Sequence, residues 1–514
     1  MQVEYIVEMK HISKRFPGIL ANNDVTIQIK KGEIFAILGE NGAGKSTLMS
    51  MLFGMYEPDE GEIFIRGKKE KITSPAYAGK LNIGMVHQHF KLVSDYTITE
   101  NIILGLAGQE KKWGFLPYVD LRRASRKIAE LSHNYGLEVN PDDIVGQIGV
   151  SVQQRVEILK MLYREAEILI FDEPTAVLTP QEISFLLQII RKLRAAGKTI
   201  ILITHKLAEI KEVADRCAIL NRGRLVDVLD VASTSMQKMA NLMVGREVSL
   251  TLQKKPAEPG KNILQVENLI VYNQHKFPVV NNVSFTVRAG EIFAIAGVAG
   301  NGQVALADAI AGLRTNITGN IYLNGKNIKN LNIRQRTAQG ISFIPEDRQK
   351  YGLVMDFTLA QNLILKSYYH LHFARHGVLQ TAAINEYSRK LIAEYDIRSS
   401  EGGATIVRQM SGGNQQKAII ARETELHSEL LIFVQPTRGL DIGAIENIHK
   451  QMLQERDKGK AILLISLELD EIMSCADTIG VIYNGQMQKI AAANTMTTAE
   501  VGRYMMGVKS DDEQ

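Results

Sequence analysis

Short apolar runs alternate along the chain with segments in which apolar residues recur every three or four positions. Residues 34–38, 168–171 and 199–204 are such runs, and each has the length and the isoleucine and leucine content of a buried strand. Residues 48–52 carry apolar side chains at helical spacing, and the pattern stops at Gly54. Strands that alternate with helices predict a mostly parallel α/β core.

The chain contains an internal repeat. The hexapeptide GEIFAI at 32–37 recurs at 290–295, an offset of 290 − 32 = 258, and the Pro-Thr pair at 174–175 recurs at 436–437, an offset of 436 − 174 = 262. The two halves are therefore homologous, with a net insertion of four residues in the second. Residues 101–164 interrupt the strand-helix alternation with mostly amphipathic helical patterns, which predicts a helical insert.

The repeat also sets the predicted domains. The first half ends near Gly245, and the second half ends in a similar way near Gly507. Between the halves, residues 254–261 contain two prolines and a glycine without an apolar period, which is typical of a linker. We therefore predict a first domain over 1–246, a linker over 247–262, a second domain over 263–508 and a frayed tail over 509–514.

Composition excludes several classes of protein. A chain of 514 residues with 45% hydrophobic and 23% charged residues is typical of a globular protein with two or more domains. No apolar run reaches the 18 residues of a membrane span, and residues 1–5 lack the features of a signal peptide, so we expect the protein to stay in the cytoplasm. Cys217 and Cys475 are too few for a disulfide framework and lie in apolar contexts, which predicts core positions. A net charge of +4 is too small to indicate nucleic-acid binding.

The first candidate functional residues lie in the turn that follows the predicted strand at 34–38. Residues 39–47 fit the pattern G-x-x-x-x-G-K-[ST], a phosphate-binding loop whose backbone N–H groups cradle phosphate oxygens at the start of a helix. In this pattern Lys45 reaches the β- and γ-phosphates and Ser46 is a ligand of Mg²⁺. The candidate ATP-binding residues here are Gly39, Glu40, Asn41, Gly42, Ala43, Gly44, Lys45, Ser46 and Thr47.

Hydrolysis also needs groups that organise Mg²⁺ and activate water. The run at 168–171 ends in Asp172, a candidate Mg²⁺ ligand, and Glu173, a candidate general base. The run at 199–204 ends in His205, which can hydrogen-bond the γ-phosphate or the attacking water. Gln88 can offer a carbonyl oxygen to Mg²⁺ or to water. We therefore predict a catalytic set of Glu173, His205 and Gln88 with Ser46, Gln88 and Asp172 around Mg²⁺.

These motifs, in this order, resemble the ATPase domain of ABC transporters. The resemblance rests on Phe16, residues 39–47, Gln88, the Gln153-Gln154-Arg155 segment, the DEPT sequence at 172–175 and His205. It implies two P-loop NTPase domains, each with a mostly parallel sheet, an antiparallel β part and a helical insert. It also implies that ATP and Mg²⁺ are the cofactors, that Phe16 stacks on adenine, and that the two domains pair head to tail.

The second half has lost the charged residues of the motif. Where the first half has lysine, serine, both acids and histidine, the second half has Gln303, Val304, Val434, Gln435 and Leu467, and Glu346 stands opposite Gln88. This predicts a degenerate second site without hydrolysis.

The second half nevertheless keeps the family's signature segment at Ser411, Gly412 and Gly413, whereas the first half has a rearranged version at 148–152. Head-to-tail pairing would thus join the intact loop around Lys45 to the intact signature at Ser411 in one composite site.

The resemblance implies an ATP-hydrolysing, energy-coupling subunit of an ABC importer, peripheral on the cytoplasmic face of the cell membrane. Its partners would be one or two separate membrane permease subunits, contacted near Gln88 and the helical insert, and indirectly an extracytoplasmic substrate-binding lipoprotein. Residues 85–93, 300–303 and 436–441 resemble the nucleoside branch and favour a guanosine-like substrate. The alternatives are a ribose or galactose importer and a soluble tandem ATPase that acts on ribosomes. The short linker and the degenerate second site argue against the ribosomal alternative.

Overall fold

The chain divides into two compact units. The first contains the residues up to Val248 together with Asp441–Gly443, and the second contains the residues that follow Val248 up to Leu440 and those from Ala444 onward. The structure, a computed structural model, describes residues 4–508 apart from 18, 88–89, 107–109, 113–115, 119, 176–177, 179, 249–251 and 253. Gln88 and the predicted tail at 509–514 lie outside the described residues. Within these ranges no helix has the length and apolar character needed to cross a membrane.

The first unit contains one antiparallel and one mostly parallel sheet. The antiparallel sheet has the order β2-β1-β4-β5, with strands β1 (Tyr5–Phe16), β2 (Ile19–Lys30), β4 (Glu60–Ile65) and β5 (Lys68–Glu70). The six-stranded sheet has the order β12-β11-β3-β10-β9-β6, and only its β11–β12 pair is antiparallel. Its strands are β3 (Ile34–Leu38), β6 (Ile83–Val86), β9 (Ile168–Asp172), β10 (Thr199–Ile203), β11 (Arg216–Asn221) and β12 (Arg224–Asp230).

Eight helices in the described part of the first unit cover these sheets. Every residue of β3, β9 and β10 is buried, which explains why these strands read as unbroken apolar runs. Helix α1 begins at Lys45 and ends at Leu52, in agreement with the apolar spacing that predicted it. The helices are α1 (Lys45–Leu52), α2 (Pro75–Lys80), α3 (Ile98–Ile103), α4 (Leu121–Tyr135), α5 (Val150–Tyr163), α6 (Pro180–Ala195), α7 (Leu207–Val213) and α8 (Met236–Val244).

The second unit repeats this architecture. Its antiparallel sheet has the order β14-β13-β16-β17, and its six-stranded sheet has the order β18-β21-β22-β15-β23-β24. The strands are β13 (Asn262–Tyr272), β14 (Pro278–Arg288), β15 (Ile292–Ala296), β16 (Ile317–Leu323), β17 (Lys326–Asn327), β18 (Ile341–Ile344), β21 (Leu430–Val434), β22 (Ala461–Ser466), β23 (Thr478–Tyr483) and β24 (Gln486–Ala492). The helices are α9 (Gln303–Ala311), α10 (Ile333–Ala338), α11 (Leu359–Leu363), α12 (Thr381–Glu394), α13 (Gly412–Thr424), α14 (Ile442–Asp457), α15 (Leu469–Cys475) and α16 (Thr498–Met505).

The α/β fold predicted from the sequence, with a mostly parallel sheet, an antiparallel β part and a helical insert in each half, is confirmed. The insert at 101–164 is not purely helical, because it also contains a hairpin of β7 (Glu110–Lys112) and β8 (Leu116–Tyr118). A matching hairpin in the second unit pairs β19 (Ala374–Arg375) with β20 (Val378–Leu379). Strands of two or three residues are too short to show an alternating pattern, so periodicity did not predict them. Cys217 and Cys475 are buried and unbridged, as predicted.

Candidate functional site

The candidate site of the first unit lies where three neighbouring strands end. β3, β10 and β9 are adjacent and parallel, so the turns that follow them meet at one edge of the sheet. The first turn leads to Lys45, the second to His205 and the third to Glu173. The sheet topology therefore gathers side chains that are far apart in the sequence.

Gly44 determines the path of the loop between β3 and α1. Its φ of +95° is in the left-handed region, and it stands immediately before the first residue of the helix. A Cβ atom at this position would lie 2.3 Å from the carbonyl oxygen of Ala21 and 2.7 Å from Nδ2 of Asn22. Asn22 is fully buried and donates a hydrogen bond to the Gly44 carbonyl at 3.2 Å. Only glycine fits here, because both the backbone conformation and the close packing exclude a side chain.

Replacing Gly44 with alanine is expected to destabilise the first unit by about 2 to 4 kcal/mol, through backbone strain and the clash with Ala21. This corresponds to a fall of roughly 5 to 10 °C in the melting temperature of that unit. Gly42→Ala is the matched control: Gly42 also has a positive φ, +81°, but a Cβ there meets nothing within 4 Å. It should therefore cost only the strain, about 1 kcal/mol. Equal melting temperatures for the two variants, measured by scanning calorimetry, would contradict this account of the loop.

Lys45 is buried against the backbone of the loop. Its Nζ donates hydrogen bonds to the carbonyl oxygens of Gly39 at 2.7 Å and Glu40 at 3.0 Å. Burial lowers the pKa of the ammonium, while the carboxylates of Glu173 and Asp172 act in the opposite direction. The loop thus holds a cation in a poorly solvated place, where its attraction for an anionic ligand is strong.

Asp172 is the last residue of β9 and faces the start of α1. The hydroxyl of Ser46 donates a hydrogen bond to Asp172 Oδ1 at 3.1 Å. Burial raises the pKa of this carboxyl to about 6, although the Ser46 hydrogen bond and Lys45 counteract the rise. A carboxylate and a hydroxyl are the hard oxygen donors that Mg²⁺ prefers. The described residues contain no cluster of three or more His, Cys, Asp or Glu side chains for a metal, so a magnesium ion here would also need phosphate oxygens.

Glu173 follows Asp172 in a strained backbone conformation. Its φ is +46°, and its N–H donates to the carbonyl of Ile203 at 2.9 Å, which joins the end of β9 to the end of β10. The Glu173 Oε1 and His205 Nδ1 atoms are 3.3 Å apart. The hydrogen bond from His205 lowers the pKa of Glu173 and outweighs the opposing effect of burial. Glu173 therefore stays a carboxylate at neutral pH and can accept a proton.

The carbonyl of the next residue, Pro174, also accepts a hydrogen bond. Gln154, on helix α5, donates its side-chain amide to this carbonyl at 2.6 Å, and Gln154 is buried. The sequence identified Gln154 as part of the resemblance but did not predict this contact. The turn that carries Glu173 is thus fixed from two sides.

Phe16 lies at the hairpin between β1 and β2, where it pairs with Ile19. Its ring packs edge-on against Tyr56 with the centroids 5.2 Å apart, and Lys14 Nζ is 5.8 Å from the ring centroid. No contact that the structure gives Phe16 involves the cluster at the strand ends. Tyr56 is 43% exposed and was missed in the sequence, because an aromatic residue after a helix carries no motif.

The second unit preserves the backbone of this site without its charges. Gln303 occupies the position of Lys45 and donates from Nε2 to the carbonyl of Val298 at 3.1 Å. Gln435, at the position of Glu173, has a φ of +47°, and its N–H donates to the carbonyl of Ile465 at 2.7 Å. Val434 ends β21, Val304 follows Gln303, and Leu467 follows β22. The second unit therefore keeps the backbone conformation of the site but lacks its charged side chains.

One charged pair in the second unit was not predicted. Glu346 accepts a hydrogen bond from Gln435 Nε2 at 3.2 Å and forms an ion pair with Arg438. The two opposite charges lie beside Gln435, and neither stands at a position where the first unit has its lysine, its two acids or its histidine. Such a pair offers no free cation to a phosphate.

The signature segment begins helix α13. Ser411 precedes its first residue and accepts a hydrogen bond on Oγ from Asn414 Nδ2 at 2.9 Å. In the first unit Gly149 has the same place before α5. Gln415 and its counterpart Gln153 each donate to two carbonyls of the preceding turn, at distances of 3.0 to 3.2 Å. The two signature turns therefore share one backbone arrangement and differ in their side chains.

A search with family profiles matches the ABC transporter profile to residues 22–176 and again to residues 280–438. The chain belongs to the ABC transporter family. It is a tandem ABC ATPase, and ATP is the nucleotide that this family binds. The family predicted from the sequence motifs is therefore confirmed.

Three relatives match this chain over nearly its full length. It is 50% identical over 507 residues to the guanosine import ATP-binding protein NupO of Bacillus subtilis, with 98% of each chain covered. It is also 50% identical to the nucleoside import ATP-binding protein NupA of Lactococcus lactis, with 99% of each covered. The ribose import ATP-binding protein RbsA of Caldanaerobacter subterraneus is 36% identical, with 94% of this chain and 96% of that protein covered.

Proposed function

We propose that this chain is the ATP-hydrolysing, energy-coupling subunit of a nucleoside importer. The observation that carries the proposal is the 50% identity, over 98% or more of both chains, to two proteins named for guanosine and nucleoside import. The ribose import relative is 36% identical, which makes a sugar importer the second candidate. The transported substrate would bind to other subunits, so the ATPase sequence supports the substrate class only through its relatives.

The proposed chemistry follows from the geometry at the strand ends of the first unit. Lys45 would attract the phosphates of ATP, and Glu173 would take a proton from the water that attacks the γ-phosphate. His205, whose Nδ1 lies 3.3 Å from Glu173 Oε1, would orient this carboxylate and keep it deprotonated. A Mg²⁺ ion bound with the phosphates by Ser46 and Asp172 would neutralise charge on the phosphates. Gln88 remains a proposed ligand from the sequence.

The motif asymmetry supports one hydrolytic site per chain. The first unit has every charged group of the site, whereas the second has Gln303, Gln435 and a neutralised ion pair. We propose that the second unit does not hydrolyse ATP and that its contribution is Ser411 with Gly412 and Gly413. The pairing of this signature with the loop around Lys45 stays a prediction from the sequence.

The proposed partners are membrane permease subunits, because the relatives are named as import ATP-binding proteins. We place the subunit at the cytoplasmic face of the membrane, peripheral to one or two permease chains. An extracytoplasmic substrate-binding lipoprotein would act through the permease.

Uptake by intact cells tests the proposed substrate. A strain that lacks this chain is expected to lose uptake of labelled guanosine and to keep uptake of labelled ribose. Expression of the wild-type chain should restore guanosine uptake, and expression of Glu173→Gln should not. Loss of ribose uptake with guanosine uptake intact would overturn the nucleoside proposal in favour of the sugar importer.

A further inference from the structure

Glu209 is a buried carboxyl group in the first unit to which neither the motifs nor the relatives give a role. It lies in the first turn of α7, which follows the turn with His205, and its side chain is 6% exposed. Lys206 Nζ is 3.7 Å from Oε1, and this oxygen has no hydrogen-bond partner among the described residues. A buried carboxyl with so few hydrogen-bond and charge partners lowers the stability of the fold. We therefore looked for a function that its contacts could serve.

The carboxyl of Glu209 contacts the turn that carries His205. Its Oε2 accepts a hydrogen bond from the Thr204 hydroxyl at 3.4 Å, and that hydroxyl in turn accepts from the backbone N–H of Lys206 at 3.0 Å. Thr204 and Lys206 are the two neighbours of His205. Glu209 is thus connected, on both sides of His205, to the turn whose imidazole Nδ1 lies 3.3 Å from Glu173 Oε1.

We propose that Glu209 is a positioning residue for ATP hydrolysis, which holds the turn that carries His205 and so keeps the imidazole directed at Glu173. The proposal rests on the proposed role of Glu173 as the base. Thr204 is 1% exposed, so no water competes for its contact with Glu209. A displacement of about 1 Å in a catalytic group can lower a rate by about 100-fold, so a link of this kind has a measurable effect.

The second unit has a buried carboxyl at the same position with different contacts. Glu471 is the counterpart of Glu209 in the repeat, and it is also buried. Its Oε1 is instead 2.9 Å from Nε2 of His449, a residue whose counterpart in the first unit is the apolar Leu187. Ser466, the counterpart of Thr204, donates to the Glu468 carbonyl at 3.5 Å and not to Glu471. The hydrogen bond between this carboxyl and the preceding turn is therefore present in the unit that keeps Glu173 and His205.

The carboxyl of Glu209 acts as a hydrogen-bond acceptor for the Thr204 hydroxyl. Burial raises the pKa of this carboxyl, and the charge of Lys206 only partly opposes the rise. The side-chain oxygen of glutamine can accept the same hydrogen bond. Glutamine at this position is therefore a conservative replacement, whereas leucine has a similar size but no polar atom.

Three variants of the full chain test the proposal: Glu209→Leu, Glu209→Gln and the matched control Glu471→Leu. We expect Glu209→Leu to lower kcat for ATP by about 10- to 100-fold and to change the dissociation constant of ATP by less than about threefold. Glu209→Gln should retain at least about half of the wild-type kcat, because its amide oxygen can accept the same hydrogen bond. Glu471→Leu also removes a buried carboxyl but should leave kcat within about twofold of wild type. The melting temperature of each variant reports any general loss of stability.

The outcomes separate the positioning role from a structural one. A kcat of Glu209→Leu no lower than that of Glu471→Leu, or equal losses for Glu209→Leu and Glu209→Gln, would overturn the positioning role. If Glu209→Leu does not fold, the isosteric Thr204→Val replaces it, and an unchanged kcat for that variant would also overturn the role. If Glu173→Gln kept its turnover, the proposed hydrolytic site itself would fail. If Glu173→Gln is inactive and Glu209→Leu is fully active, the proposed hydrolytic site stands and only the positioning role of Glu209 fails.

Discussion

Glu173→Gln is expected to lower ATP turnover by about 1,000-fold while ATP still binds. A general base contributes roughly 100- to 10,000-fold to such a reaction, and an amide cannot accept the proton of the attacking water. Lys45, Ser46 and Asp172 do not depend on this carboxylate for their contacts with one another and with the loop. Steady-state phosphate release measures the turnover, and a fluorescent ATP analogue measures the binding.

The control for this experiment is Gln435→Glu in the second unit. It places a carboxylate on the same backbone conformation, since φ is +46° at Glu173 and +47° at Gln435. Without a lysine in the second loop, it should add no turnover. Residual activity of Glu173→Gln near the wild-type rate would show that another group is the base.

Lys45→Ala is expected to weaken ATP binding by about 100-fold or more and to remove turnover. Charge-assisted hydrogen bonds to phosphate are among the strongest in proteins, and a buried ammonium is poorly screened by water. A 100-fold change in affinity corresponds to about 2.7 kcal/mol. Isothermal titration with ATP measures the affinity directly.

Gln303→Ala is the matched control for Lys45→Ala. Gln303 is as buried as Lys45 and also hydrogen-bonds the carbonyl of its own loop, but it carries no charge. The turnover per chain should remain near wild type. A large drop with Gln303→Ala would mean that the second unit takes part in the hydrolytic cycle to a greater extent than its residues indicate.

The sequence predicted the parts of the fold and site that depend on short patterns. Fully buried strands read as apolar runs, and a loop of glycines before Lys45 is specific because few other functions need that spacing. Parallel strands bring their carboxyl ends to one edge of the sheet, so the strand pattern alone is enough to group Asp172, Glu173 and His205. The repeat then identified which residues of the second half had changed.

Contacts between residues without a motif could not be predicted in this way. Glu346 and Arg438 are far apart in the sequence, and each alone is an ordinary exposed or half-buried charge. The contact of Gln154 with the Pro174 carbonyl and the hydrogen bond between Thr204 and Glu209 depend on how helices pack on the sheet. Packing of this kind is set by three-dimensional complementarity and leaves no periodic signal.

The left-handed conformation at Gln435 has a consequence for how the two units differ. A residue other than glycine in this conformation costs about 1 kcal/mol or more. The second unit bears this cost at a position that has no carboxylate to orient. Its main chain therefore keeps the conformation of the turn that carries Glu173, and the loss of hydrolysis that we propose for this unit follows from the side chains at the site and not from its backbone.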